Sequence, residues 1–250
     1  MKKTILLSSL FAVGAAFATT VESGNAVGAL DFEVDSTPQQ TLIAVPFVGY
    51  ENNGAVKVED MVKTSDLAQD SKLYVPNGTV GGYDTWKLDA DGKWIADKKV
   101  TISATGTSEG VSLDQNTATA NRGDSFWLEP KFKNEATSGT IFLLGQGVAD
   151  DGQSTAAQGW NLIGNASLKS VQLTTLTGTK GDQIIVQVGG KLRYYSYNRE
   201  MWTYQKPDGS RDTEDPVEIQ PGQGLWYKNT NTENLLINWA DFVPESDTNS

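Results

Sequence analysis

PGQGLWYKN (Pro221–Asn229) sets a tight Pro-Gly turn against a run of large apolar residues, with Trp226 four residues after Gly222. NRGDSFWLE (residues 121–129) repeats the arrangement, with Trp127 four residues after Gly123. A glycine permits the backbone of a sharp turn. The alternation behind it makes a strand with one face inward. The same turn-and-strand occurring twice points to an all-β protein of two related antiparallel units, each a small sandwich or half-barrel. Duplicated positions belong first to the skeleton, so Trp127 and Trp226 are read here as packing residues.

Outward from these two stretches, other segments recur in the same order. LIA (42–44) matches LIG (162–164). KLYVPNGTVGGYDTW (72–86) aligns without a gap on QIIVQVGGKLRYYSY (183–197), so that Leu73 meets Ile184, Tyr83 meets Tyr194 and Trp86 meets Tyr197. Trp94 falls opposite Trp202, and TIFLLGQ opposite NLLINWA. The spacing between matched segments shrinks from 120 residues at LIA/LIG to 99 at the Gly-x-x-x-Trp element. The first copy therefore carries extra loop, chiefly in VGYENNGAVKVED and KKVTISATGTSEGVSLDQNTAT. The boundaries that follow are a first unit over 19–146, a small polar linker over 147–158, a second unit over 159–243 and a frayed tail over 244–250.

The segments between turns are short, rich in β-branched and aromatic residues, and bounded by Gly, Asn, Asp and Pro. Each unit should hold about six strands. LDADGKW and QKPDGSR carry Asp-Gly hairpin turns. Only VKVEDMVKTSDLAQD could hold a helical turn or two.

MKK followed by TILLSSLFAVGAA and AFA reads as a basic, apolar and small-residue leader cut after Ala18. Its apolar run is too short for the ~20 residues of a spanning helix. The expectation is export to the periplasm, cell surface or extracellular space, without a membrane span. With 31 Asp and Glu against 20 Lys and Arg, the net charge is −11, and loss of Lys2 and Lys3 makes it −13. Such a surface repels phosphate backbones, which argues against nucleic acid as a partner.

The chain has no Cys and no His. Disulfides, imidazole bases, Ser-His-Asp triads and ordinary zinc sites are thereby excluded. DADG (Asp89, Asp91, Gly92) begins like a calcium loop but lacks its later ligands, and a hairpin turn explains it. RGD (122–124) sits in the turn that matches PGQ. NGT and NAS are formal glycosylation sequons. The sequence therefore points to no metal, no cofactor and no catalytic residue, and the protein is expected not to be an enzyme. A pair of carboxylates flanking one cleft, as in a glycoside hydrolase, is the least favoured alternative.

Residues present in one copy only are the better candidates for a site. On KLRYYSY, Arg193, Tyr195 and Tyr197 share a face, and Leu192, Tyr194 and Ser196 share the other. If the Tyr195 face meets Trp202 and Tyr204 on the return strand, an aromatic patch rimmed by Arg193 and Arg199 results. Such a patch suits sugar rings or a protein surface. The structural alternative is a ladder of cross-strand pairs holding the hairpin together.

QGWNLIGN followed by IQPGQGLWYKN resembles a β module of secreted and surface proteins of Bacteroidetes and related bacteria. That module opens Gly-Trp-Asn-Leu-Ile-Gly-Asn-Pro and continues with a Pro-Gly-x-Gly-Phe-Trp-Val strand. The chain departs from it at Ala166, in place of Pro, and at Leu225, in place of Phe. VESGNAVG with LIAVPF is similar to the start of secreted proteins of Verrucomicrobia and Lentisphaerae with two such units. The resemblance implies export and a β fold, and it carries over no activity and no site residue. The leading expectation is a structural or adhesion protein, with carbohydrate binding through the Tyr195 face as the alternative. The expected partner is a glycan or a cell-surface protein.

Overall fold

A computed structural model describes residues 27–35, 40–49, 54–63, 66–77, 82–103, 106–112, 119–146, 152–212 and 217–239. The leader and the tail lie outside these residues.

In the first unit, the chain runs through β1 (Val27–Asp35), β2 (Thr41–Ala44), β3 (Val56–Lys57), a helical turn α1 (Val58–Met61), β4 (Val62–Lys63), β5 (Lys72–Pro76), β6 (Gly82–Leu88) and β7 (Trp94–Ser103). It continues through β8 (Gly106–Ser112), β9 (Thr119–Ala120), β10 (Ser125–Glu129) and β11 (Ser138–Gln146). Six strands form one sheet in the order β2-β10-β5-β6-β7-β8, and β1-β11-β4 form a second. Ile43, Leu73, Trp86, Leu88, Trp94, Phe126 and Leu128 from the large sheet pack with Val34, Val62, Ile141 and Leu143 from the small one.

The second unit comprises β12 (Gln153–Ala156), β13 (Gly159–Gly164), β14 (Val171–Gln172), β15 (Gln183–Val188) and β16 (Lys191–Asn198). It is completed by β17 (Met201–Gln205), β18 (Arg211–Asp212), β19 (Glu218–Ile219), β20 (Gly224–Asn229) and β21 (Leu235–Asn238). Its large sheet has the order β13-β20-β15-β16-β17-β18. This is the path of the first large sheet, strand for strand. The pairs β3-β9 and β1-β11 of the first unit correspond in the same way to β14-β19 and β12-β21. The protein is all-β, with antiparallel sheets throughout. The helical turn falls where VKVEDMVKTSDLAQD allowed one.

Five expectations are corrected. Six strands describes only the large sheet of each unit: among the described residues the first unit has eleven strands and the second ten, because short pairs such as β3-β9 and β14-β19 carry too little sequence to show a pattern. Residues 153–156 are not linker: β12 pairs with β21, and Ala156 is in the second core. Their alternating burial (exposed Gln153 and Thr155, buried Ser154 and Ala156) is a strand pattern written in small residues. Residues 147–151 lie outside the described set. The stretch after Lys98 is not loop either, because β7 and β8 form a long hairpin where β18 has only two residues.

The ungapped alignment also slips. Leu73 pairs with Trp86 just as Ile184 pairs with Tyr195, so Trp86 occupies the place of Tyr195, and Tyr83 that of Leu192. The second unit closes β15–β16 through Gly189-Gly190, both with positive φ, and this tight turn is two residues shorter. Finally, Trp127 and Trp226 are not core residues. Phe126 and Leu128, like Leu225 and Tyr227, take the inward positions, so the indole between them faces outward.

The repeated motifs meet where the units meet. Ala44 N donates to Gly222 O at 2.7 Å, and the equivalent Gly164 N donates to Gly123 O at 3.0 Å. Bridges Ile43–Gln223 and Asp124–Ile163 complete a nearly two-fold clamp. Close approach is possible because the facing residues are small. A Cβ at Gly164 would clash with Ala44 and stand 2.6 Å from Ser125 Oγ, and one at Gly224 would stand 2.7 Å from Leu42. Arg122 of the RGD stretch donates to Ala166 O at 2.7 Å. Gln187 accepts from Leu42 N and donates to Gln40 O. The buried Ser154 hydroxyl lies 3.0 Å from Gly164 O and accepts from Trp239 Nε1 at 2.8 Å.

Candidate functional site

Strand alternation in the second large sheet decides which side chains reach solvent. Ile184, Val186, Tyr195, Trp202, Leu225 and Tyr227 point into the core. Tyr195 is 3% exposed and Trp202 4%, so the aromatic face expected to bind ligand is turned inward. The two faces do meet across the hairpin: Tyr195 lies opposite Tyr204 and Tyr197 opposite Trp202, with ring centroids 5.4 and 5.2 Å apart. Trp202 Nε1 donates to Leu176 O at 2.7 Å, which fixes the indole inside, as Trp94 Nε1 does to Val62 O in the first unit. These rings form a packing ladder, and a sugar cannot lie on Tyr195 or Trp202 without opening the core.

The remaining candidates are dispersed. Tyr204 is half-buried, with the Arg193 guanidinium 5.5 Å above its ring. Arg199 stands at the tip of the β16–β17 hairpin with φ 51, followed by Glu200 with φ 63. With Thr177, Gly178, Lys180 and Tyr197 they line a shallow, open hollow. The structure does not bring Arg193, Tyr195, Arg199, Trp202 and Tyr204 together on one exposed surface.

Beside this ladder lies a polar knot. Asp182 is fully buried, and its carboxylate accepts from Tyr227 OH at 2.7 Å, Thr179 N at 2.8 Å, Thr230 N at 2.9 Å and Thr230 Oγ1 at 2.6 Å. Burial pushes its carboxyl up, but the hydrogen bonds from Thr230, Tyr227 and Thr179 outweigh burial and hold it below the ordinary aspartate range. Burial and the neighbouring Asp182 carboxylate push the Tyr227 phenol well up. All these groups are occupied with one another, so the knot is structural.

The outer face of the same sheet carries the exposed aromatic residues. Trp160 is 46% exposed, and Tyr194 and Leu192 are each 47% exposed. Trp226 is half-buried beside Trp160, their rings edge to face at 6.5 Å and 87°. Ile185 lies between Trp226 and Tyr194 across adjacent strands. Lys228 Nζ sits 5.8 Å from the centre of the Trp160 ring. Trp160, Trp226, Ile185 and Tyr194 thus make an apolar stripe over β13, β20, β15 and β16, about 14 Å across three strand spacings. The signal was present: Trp160 and Leu162, like Trp226 and Lys228, occupy the outward phase of their strands.

The first unit's outer face differs. Trp127 and Tyr74 stand opposite each other there, but Tyr74 OH donates to Glu129 at 2.6 Å and its ring packs edge to face on the buried Tyr83.

Three features named from the sequence have structural explanations. Asp89 Oδ1 accepts from Asp91 N and Lys93 N, which builds the DADG hairpin. Asn165 of the NAS sequon is buried, its amide donating to Lys169 O and Ile219 O. RGD lies in the inter-unit clamp. Among the described residues, no helix is long and apolar enough to cross a membrane. No protein-family model, curated protein or solved structure matches the chain.

Proposed function

We propose that the protein is an exported, non-catalytic structural or adhesion component of a bacterial cell surface or extracellular space, made of two β units related by duplication. The clamp is the observation that carries this reading. Matched backbone bonds from Ala44 and Gly164 hold two sheets of the same strand order against each other. A double module whose halves are joined by backbone bonds presents two broad sheet faces, which suits a scaffold. The leader sequence supports export, and the resemblance to secreted two-unit proteins agrees with it. A glycan or a surface protein is the partner class, and the acidic net charge disfavours nucleic acid.

Expression of the full chain with a C-terminal tag in a bacterial host, followed by fractionation and mass spectrometry, tests the reading. The expected result is a product beginning at Thr19 outside the cytoplasm. An unprocessed chain retained in the cytoplasm would sink it.

A further inference from the structure

We infer that the outer stripe of the second unit binds single chains of an uncharged polysaccharide. The inference rests on the proposed extracellular role and gives it a ligand class.

The charge pattern selects the occupant. Lys, Arg, Asp and Glu make up 51 of the 250 residues. Yet the outward positions of the second large sheet include no carboxylate, and only Lys228 and Arg211 are charged. An uncharged polymer can cover this face without stripping water from ions. A second copy of the chain, carrying −13 after loss of Lys2 and Lys3, adds like-charge repulsion between the two molecules. Lys228 on β20 and Arg211 on β18 stand four strand spacings apart in the sheet, so a polyanion finds no row of cations to follow.

The groups present match a sugar's two kinds of surface. Trp160, Trp226 and Tyr194 offer ring faces and edges to C–H surfaces. Gln183, Ser196 and Gln205 stand on the same face, with Gln205 donating to Ser196 Oγ at 3.0 Å. They supply amide and hydroxyl groups for sugar hydroxyls. The perpendicular setting of the two indoles narrows the class further. Both rings cannot lie flat on one planar surface, so the site takes a free chain rather than a crystalline face. Each indole braces the other, which reduces the ordering cost of binding.

Migration of the processed protein in native gels cast with hydroxyethyl cellulose or galactomannan tests this, with polygalacturonate and a polymer-free gel for comparison. The expected result is saturable retardation by one of the neutral polymers, unchanged by added salt. Trp160→Ala and Tyr194→Ala should each weaken it roughly tenfold while leaving melting temperature and near-ultraviolet dichroism essentially unchanged. Retardation by polygalacturonate alone would overturn the inference, as would equal retardation of the Trp160→Ala protein. Migration unaffected by any polymer would also overturn it. So would a concentration-dependent dimer, seen by sedimentation, that Trp160→Ala dissolves, because the face would then be a self-interface. None of these outcomes changes where the protein is found in the cell, so failure here is separable from failure of the extracellular assignment.

Discussion

Asp182 shows how much one residue can do in a chain without disulfides. A single carboxylate ties the Thr179 turn to β20 and to the turn after it, through Tyr227 and Thr230. Hydrogen bonds to a charged group contribute about 1.5–3 kcal/mol each in favourable cases, and not additively. Asp182→Asn should therefore cost about 3 kcal/mol near neutral pH, read as a shift in urea midpoint. The pH dependence has a definite sign. The folded carboxyl titrates below its unfolded value, so its contribution is complete above an unfolded pKa of about 3.9 and is lost as pH falls through the folded value. The gap between wild type and Asp182→Asn should be constant from pH 7 to about 5 and narrow below about 4. A gap that widens on acidification would show that Asp182 is not held ionised by its partners.

At the scale of elements, the β16–β17 hairpin carries a local conflict. Its tip residues Arg199 and Glu200 both have positive φ, a conformation that costs non-glycine residues about 1–2 kcal/mol. The ladder beneath pays for it through Tyr195–Tyr204 and Tyr197–Trp202. Replacing the tip with Asn-Gly (Arg199→Asn with Glu200→Gly) supplies residues this turn favours, and should stabilise the protein by about 1 kcal/mol. Thermal melting checks this. If the double variant melts lower, the Arg199 and Glu200 side chains make contacts that outweigh the backbone strain. The same variant should keep its affinity for any polymer bound at the Trp160 stripe, because the turn lies beyond that face.

Across the whole molecule, the clamp couples two units that each have their own core. Backbone bonds at matched positions require small residues there, and Gly164 and Gly224 face Ala44, Ser125 and Leu42. Gly164→Val should overpack the contact at a cost of about 1–3 kcal/mol and uncouple the halves. In calorimetry, the wild type is expected to unfold in one transition and Gly164→Val in two. Two well-separated wild-type transitions would mean that the interface holds the units together only weakly.

The β class, the strands written in alternating large apolar residues, the recurring order of segments and the Asp-Gly hairpins, DADG among them, are legible in the sequence, whereas two-residue strands such as β3, β9, β14 and β19 are not. The legible features are local properties: alternation, turn residues and repeated order survive in one dimension. Only the tertiary structure decided which face of each strand is inside, since alternation names two faces but not which one meets the second layer. Hence Tyr195 and Trp202 proved to be core, while Trp160, Tyr194 and Trp226 turned outward. The structure also decided the register of β15–β16, because a two-residue change in turn length shifts every later equivalence. It placed Gln153–Ala156 in a strand, where small residues suffice because the burial comes from distant partners. And it showed why LIA and LIG recur with the glycine turns, as the contact between the two halves, a constraint that exists only once both units have folded.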